Sequence, residues 1–157
     1  MTTGTQDYDG AVTLGLDTTL MGSAITFGNI VEGTTPDNES LNIVGNATFG
    51  GAVGNSRPLE LLEVTGSTAL NGGSVATAGA QTYTGPVTLG LDTALTGSAI
   101  TFGSTLDGTT PGTESLSIAG DATFGGAVGA TRSLELMDVT GTTALNGGTG
   151  TTAGNQD

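Results

Sequence analysis

The chain lacks most of the residues that carry catalytic chemistry. It has no cysteine, histidine or tryptophan, and its two cations are Arg57 and Arg132. Without cysteine there are no disulfides and no thiol chemistry, and lysine is missing as well as histidine. The serines therefore have no basic partner that could activate them, and nucleophilic catalysis is not expected.

Positive charge is also scarce. Fifteen acidic residues against two cations give a net charge of −13, and binding to nucleic acid or anionic lipid needs clustered Lys and Arg. No apolar run approaches the roughly 20 residues of a membrane-spanning helix. We expect no nucleic-acid partner and no membrane insertion. The first residues lack a basic and an apolar segment, so an export signal is expected outside this sequence.

Glycine and threonine dominate what is present, and the sequence is written twice. Residues 6–80 align without a gap with residues 81–155, and 51 of the 75 pairs are identical. Gln156-Asp157 then begins a third copy, matching Gln6-Asp7. Tandem copies of this kind are typical of arrays in which each unit contacts its neighbours. We predict one domain over residues 1–157, built from the two repeats.

Short alternating segments predict the fold class. Apolar and polar residues alternate over a few positions, as half-buried strands require, and glycines punctuate them. These segments are residues 12–14, 41–44, 59–61, 87–89, 116–118 and 134–136. We predict an all-β, right-handed parallel β-helix (a β-solenoid) of about 7–8 coils, each of roughly 19–22 residues. A pair of antiparallel sandwiches is the alternative, but the motif passes unbroken through the junction at residues 78–81.

A recurring apolar residue beside a glycine corner predicts the core. The core ladder is expected to consist of Tyr8, Phe27, Phe49, Leu70, Tyr83, Phe102, Phe124 and Leu145. Their spacings are 19, 22, 21 and 13 residues, and then 19, 22 and 21 again. The spacing of 13 requires either one small coil per repeat or a separate offset for Leu70. Residues 33–39 and 108–114 are predicted to be loops that leave the rod at the same corner.

The acidic residues are the remaining candidates for chemistry. Glu60 with Glu63 and Glu135 with Asp138 could act as paired carboxylates, but each pair occurs in both copies, as architecture would. We predict that the chain is not an enzyme. Calcium, the one cofactor considered, would bind hard oxygen ligands. Its weak candidate ligands are Asp17, Asp92, Glu39 and Glu114.

Several segments resemble repeats of large bacterial surface proteins. They are residues 81–83, 87–89, 122–128 and 143–148, and they are similar to filamentous-haemagglutinin-like and autotransporter-type adhesin repeats. The resemblance implies a right-handed β-helix at the cell surface or outside the cell. It suggests a non-enzymatic structural segment of an extracellular fibre or adhesin shaft. The alternative is a calcium- or glycan-binding module of such an adhesin.

The ends of a solenoid predict the partner. Each end leaves open strand edges, which natural arrays cover with capping repeats, and neither end of this sequence has a recognisable cap. Because Gln156 lies two full periods after Gln6, a second molecule could continue the ladder. We expect the chain to bind itself end to end and form filaments. Divalent cations and host or matrix glycans are further candidate partners.

Overall fold

The chain folds as a parallel β-solenoid of about seven turns. The computed structural model describes residues 4–156, and within that range there is no helix and 53% of the residues lie in strands or single β-bridges. The strand pairs described are parallel, which excludes antiparallel sandwiches and confirms the predicted solenoid. The right-handed sense stays a prediction.

Fifteen strands form within residues 4–156. They are β1 (Thr5–Tyr8), β2 (Val12–Leu14), β3 (Thr18–Phe27), β4 (Val31–Gly33), β5 (Leu41–Phe49), β6 (Leu62–Val64), β7 (Thr68–Leu70), β8 (Ser74–Ala76), β9 (Ala80–Tyr83), β10 (Val87–Leu89), β11 (Thr93–Phe102), β12 (Leu106–Gly108), β13 (Leu116–Phe124), β14 (Met137–Val139) and β15 (Thr143–Leu145).

Two predicted strands are displaced. Residues 59–61 and 134–136 alternate as strands do, but β6 and β14 begin just after them. Leu59 and Leu134 instead form single bridges, to Thr77 and Thr152. Both leucines are fully buried, so the alternation there reports burial at a corner and not an extended strand.

Three faces, numbered in the order in which the chain visits them, make up the solenoid. Face 1 contains β1, residues 24–27, residues 46–49, β7, β10, β12, Val128 and Gly150. Face 2 contains β2, β4, Val53, β8, residues 93–96, residues 116–119, β14 and Gln156. Face 3 contains residues 18–21, residues 41–44, β6, β9, residues 99–102, residues 121–124 and β15.

The sequence repeat does not contain a whole number of turns. The first repeat begins on face 1 with β1, and the second begins on face 3 with β9. From β1 the chain visits eleven face positions before it reaches β9, and three positions complete a turn. One repeat is therefore about 3⅔ turns, and equivalent residues of the two copies are rotated by about two-thirds of a turn.

This rotation explains the spacing of 13 residues. Leu70 lies on face 1, where it pairs with Phe49 and Leu89, whereas Tyr83 lies on face 3, where it pairs with Val64 and Phe102. The chain between Leu70 and Tyr83 covers two faces and not a full coil. Leu70 thus belongs to a different ladder, as the second of the two interpretations proposed.

The prediction that both loops leave at one corner is wrong for the same reason. The loop after β4 joins face 2 to face 3, while its equivalent after β12 joins face 1 to face 2. The first loop also widens its turn, since 23 residues separate Leu20 from its partner Ile43 where 19 separate Tyr8 from Phe27.

The predicted core ladder is divided into two stacks. On face 1, Tyr8, Phe27 and Phe49 stack with ring centroids 5.3 Å apart, and Leu70 continues the column. On face 3, Tyr83, Phe102 and Phe124 stack at 5.4 and 5.2 Å, and Leu145 continues the column. Tyr8 is half-buried and the residues from Phe27 to Phe124 in these columns are buried.

Leu145 departs from the expected core position. Its side chain is 57% exposed, although its equivalent Leu70 is 1% exposed. The difference arises because β10 pairs with β7 on the side away from β5, while β15 has only β13 as a strand partner among the described residues.

Glycine lets single strands run across a corner. β5 bends from face 3 to face 1 at Gly45, and β13 bends from face 2 to face 3 at Gly120, with φ of 139° and 145°. A Cβ at Gly45 would overlap the carbonyl oxygen of Gly22, and one at Gly120 would overlap that of Gly97. Both conformation and space thus require glycine there.

We expect the aromatic stack of face 3 to be a main source of stability. Phe102 is fully buried between Tyr83 and Phe124, so Phe102→Ala should lower the free energy of unfolding by about 3–5 kcal/mol in chemical denaturation. Leu91→Ala, at a residue that is 54% exposed, should change it by less than about 0.5 kcal/mol. Equal losses in the two variants would contradict this assignment of the core.

One buried hydroxyl in the core has no partner. Thr68 on face 1 is 2% exposed, and its Oγ1 makes no hydrogen bond. Thr93 on face 2 is similarly buried, at 3%, but its Oγ1 donates to the carbonyl of Leu91 at 2.9 Å. The two threonines therefore form a matched pair, one unsatisfied and one satisfied.

Replacing each of these threonines with valine should have opposite effects. Thr68→Val removes an unsatisfied polar group without changing the shape, and should raise the free energy of unfolding by about 1 kcal/mol. Thr93→Val removes a hydrogen bond and leaves a carbonyl without its donor, and should lower it by about 1 kcal/mol. Denaturant midpoints measure both, and a change of the same sign in both variants would disprove the argument.

Candidate functional site

Two of the candidate calcium ligands are held inside their own loops. The Glu39 carboxylate accepts a hydrogen bond from Thr34 Oγ1 at 2.6 Å and from the Thr35 N–H at 3.2 and 3.3 Å. Glu114 repeats the arrangement with Thr109 and Thr110. Both side chains are almost fully buried, at 1% and 5% exposure. Each carboxylate thus ties the loop into a closed turn.

These hydrogen bonds favour the ionised carboxylates. The Thr34 hydroxyl is the largest influence on Glu39, and it lowers the pKa of that carboxyl together with the Thr35 N–H against the effect of burial. At Glu114 burial is the largest single influence and raises the pKa. The donors from Thr109, Thr113 and Thr110 together outweigh it, so the pKa is lowered overall.

The other two candidate ligands connect one turn to the next. Asp17 Oδ1 accepts the Ser40 N–H at 2.9 Å, and Asp92 Oδ1 accepts the Ser115 N–H at 2.8 Å, each 23 residues along the chain. Asp17 and Asp92 are exposed. Within residues 4–156 the structure brings together no group of three acidic side chains suited to a metal ion. Calcium binding stays a prediction, with one oxygen of each aspartate already accepting a hydrogen bond.

Sequence reasoning missed a second pair of acidic connectors. Glu32 accepts the N–H groups of Ser56 and Arg57 at 3.0 and 2.6 Å. Its equivalent Asp107 accepts those of Thr131 and Arg132 at 2.9 and 3.1 Å. Both acids lie one turn below the loop that they hold. The signal available in the sequence was an acid at the same place in both copies.

A buried glutamine on face 3 was also missed. Gln81 is fully buried, its Nε2 donates to the carbonyl of Thr96 at 2.8 Å, and its Oε1 accepts from the Tyr83 hydroxyl at 2.9 Å. Gln6 does the same on face 1 with Met21 and Tyr8. The recurrence of Gln two residues before Tyr was the sequence signal for this polar link inside the core.

The acidic pairs and one groove are candidate places for binding a small molecule. Glu60 and Glu135 are exposed, and Glu63 and Asp138 are partly exposed on different faces. One groove has a volume of about 190 Å³ and is lined by Gly73, Asp92, Thr93, Ala94, Ser115 and Ser117. Ligand pockets are typically larger, about 300–1,000 Å³.

The junction between the repeats shows how one repeat receives the next. β10 pairs with β7, placing Val87 on Thr68 and Leu89 on Leu70. The backbone bonds Thr68 N–H to Pro86 O and Gly90 N–H to Leu70 O, at 2.8 and 2.9 Å, complete this contact. We call it the internal joint.

Both halves of the internal joint recur at the ends of the solenoid. Residues 143–146 repeat residues 68–71, and residues 12–15 repeat residues 87–90, with no substitution. Among the described strands, β15 is paired only with β13 and β2 only with β4. Each end therefore has a strand edge whose counterpart inside the molecule is paired.

No significant match to the chain was found among protein-family models, curated proteins or solved structures. No described segment forms a helix that is long and apolar enough to cross a membrane.

The loop carboxylates should make stability depend on pH. The pKa of Glu39 is lowered in the folded chain, so its contribution is present above its unfolded pKa of about 4.3 and is lost as pH falls through the folded value. Glu39→Gln should therefore lower the melting temperature at pH 7, and the gap to the unmutated chain should narrow as the pH falls below about 4.3.

Glu60→Gln, at an exposed position, serves as the control for the charge change alone. It should shift the melting temperature less than Glu39→Gln does at pH 7. A deficit for Glu39→Gln that is as large at pH 3 as at pH 7 would contradict a role for the ionised carboxylate.

Proposed function

We propose that this chain is a non-enzymatic structural segment that associates end to end into filaments. The observation that supports this best is the duplication of the internal joint at both ends. An open strand edge is a template for another strand, and here each edge has the sequence whose pairing is already observed within the chain.

The apolar surface at one end also favours association. Leu145 is 57% exposed on β15, where the same leucine in the first repeat is covered by β10. Covering this side chain would remove apolar surface from water, which is favourable by about 25 cal/mol for each Å² buried. The contact joins different surfaces of the two molecules and therefore does not close on itself.

An extracellular shaft is the setting we propose. The repeats resemble those of bacterial adhesins, and a solenoid of stacked turns provides length without a catalytic cleft. The paired acids, Glu60 with Glu63 and Glu135 with Asp138, occur at the same positions in both copies. The connectors Glu32 and Asp107 use their carboxylates to hold the backbone of the next turn. These features support a shaft of an extracellular or cell-surface fibre.

The alternative of a calcium- or glycan-binding module has weaker support. The four candidate calcium ligands each accept backbone hydrogen bonds within the fold. The groove beside Asp92 is small for a sugar. No described feature favours this alternative over the structural function.

Size-exclusion chromatography with electron microscopy tests the proposal. The purified chain should form rods that lengthen with concentration, and Leu145→Glu should stop this by placing a charge in the contact. Leu91→Glu is the matched control, since Leu91 is 54% exposed away from the ends, and it should leave lengthening intact. A folded chain that remains monomeric at millimolar concentration would overturn the proposal.

A further inference from the structure

A three-sided solenoid can stack on a copy of itself in three rotational phases. The edge of β15 on face 3 could receive β1, β2 or residues 18–21 of a second molecule, since these are the first strand positions on the three faces. In each phase a different residue would lie over Ala144. It would be Asp7, Thr13 or Thr19, since each directly precedes the residue that would lie over Leu145, namely Tyr8, Leu14 or Leu20.

We propose that the second copy docks with β2 on β15, rotated by about one-third of a turn. This rests on the proposed end-to-end function and specifies its partner surface. The internal joint is the template, because β10 on β7 is β2 on β15 shifted by one repeat. Leu14 then covers Leu145 as Leu89 covers Leu70, and Thr13 lies over Ala144 as Thr88 lies over Ala69.

The fit of small residues supports this phase. At the internal joint, a Cβ on Gly90 would overlap Asn71 Oδ1, so the asparagine needs glycine above it. Asn146 and Gly15 are their equivalents, and a Cβ on Gly15 would meet no described atom within 4 Å. Docking β2 on β15 brings this asparagine and this glycine together. Neither of the other two phases does so.

On face 2 the proposed phase replaces one glutamine with another. Gln156 already bridges to Met137, with a long bond of 3.3 Å from the Met137 N–H to Asn155 O. In the proposed phase Gln6 of the second copy takes this place, as Gln81 does over Leu62. The incoming strand brings Tyr8 over Val139, repeating the pairing of Tyr83 with Val64. The bridge of Gln156 and the bond to Asn155 are thereby replaced by a three-residue ladder. Its middle pair is Asp7 over Asp138 where the template has Thr82 over Glu63, so this phase also sets two like charges side by side.

The phase gives the filament a defined symmetry. Two repeats of about 3⅔ turns make about 7⅓ turns, so each molecule is rotated by about 120° relative to the last. At about 4.8 Å per turn the rise is about 35 Å per molecule. Stacking with face on face would give no rotation.

Pairs of introduced cysteines distinguish the three phases, because the chain has no cysteine of its own. Ala144→Cys is combined with Thr13→Cys, Thr19→Cys or Asp7→Cys, and each purified double variant is oxidised under filament-forming conditions. Residues paired on adjacent strands lie about 4.8 Å apart, within disulfide range. The control is Ala69→Cys with Thr88→Cys, which pair within one molecule and should yield cross-linked monomer.

We expect the Thr13 and Ala144 pair to give covalent multimers, at about tenfold the yield of the other two pairs. Three outcomes with filaments present would overturn the phase and leave end-to-end assembly standing. They are a higher yield from the Thr19 or Asp7 pair, equal yields from the three pairs, and no rotation between molecules in the image reconstruction. If the control yields cross-linked monomer but no variant forms filaments or multimers, the end-to-end assembly itself is overturned.

Discussion

The backbone hydrogen bonds between successive turns are the constraint on which this fold depends. Each strand must find its donors and acceptors in the turn below and the turn above, about 4.8 Å away. Residues one turn apart are therefore held in register, and side chains of one kind collect in columns. The aromatic stacks, the inward leucines and valines, and the glycines at the corners follow from that register.

Polar groups reinforce the same register where strands are absent. Asp17, Asp92, Glu32 and Asp107 each accept backbone N–H groups from the next turn. Their hydrogen bonds replace ladder bonds at corners and loops, where the backbone leaves the strand conformation. Glu39 and Glu114 act within a turn, closing a loop on itself. The acidic composition is thus partly used to connect the coil and is not only a solvated surface.

The sequence was sufficient to predict the parallel solenoid, because alternation, glycine corners and a near-constant spacing all follow from local geometry. It was not sufficient to predict which face a residue occupies. Tyr8 and Tyr83 both follow a glutamine by two residues and stack on a phenylalanine one turn later. Because the three faces offer equivalent surroundings, nothing in these local patterns records the rotation. The backbone contacts of the acidic residues were not predictable for a related reason: a carboxylate that binds a metal and one that binds backbone N–H groups look alike in a sequence.

The mismatch between repeat and turn has a consequence for how such a chain can change in length. The core requires that an added segment contain a whole number of strand positions, and it does not require a whole number of turns. A unit of eleven positions meets that condition and leaves every hydrogen-bonded column continuous across the seam. Duplication of coding sequence can therefore lengthen the rod even when the added segment does not complete a whole number of turns. A surface residue that recurs in every copy then lies about two-thirds of a turn further around the axis in each successive copy.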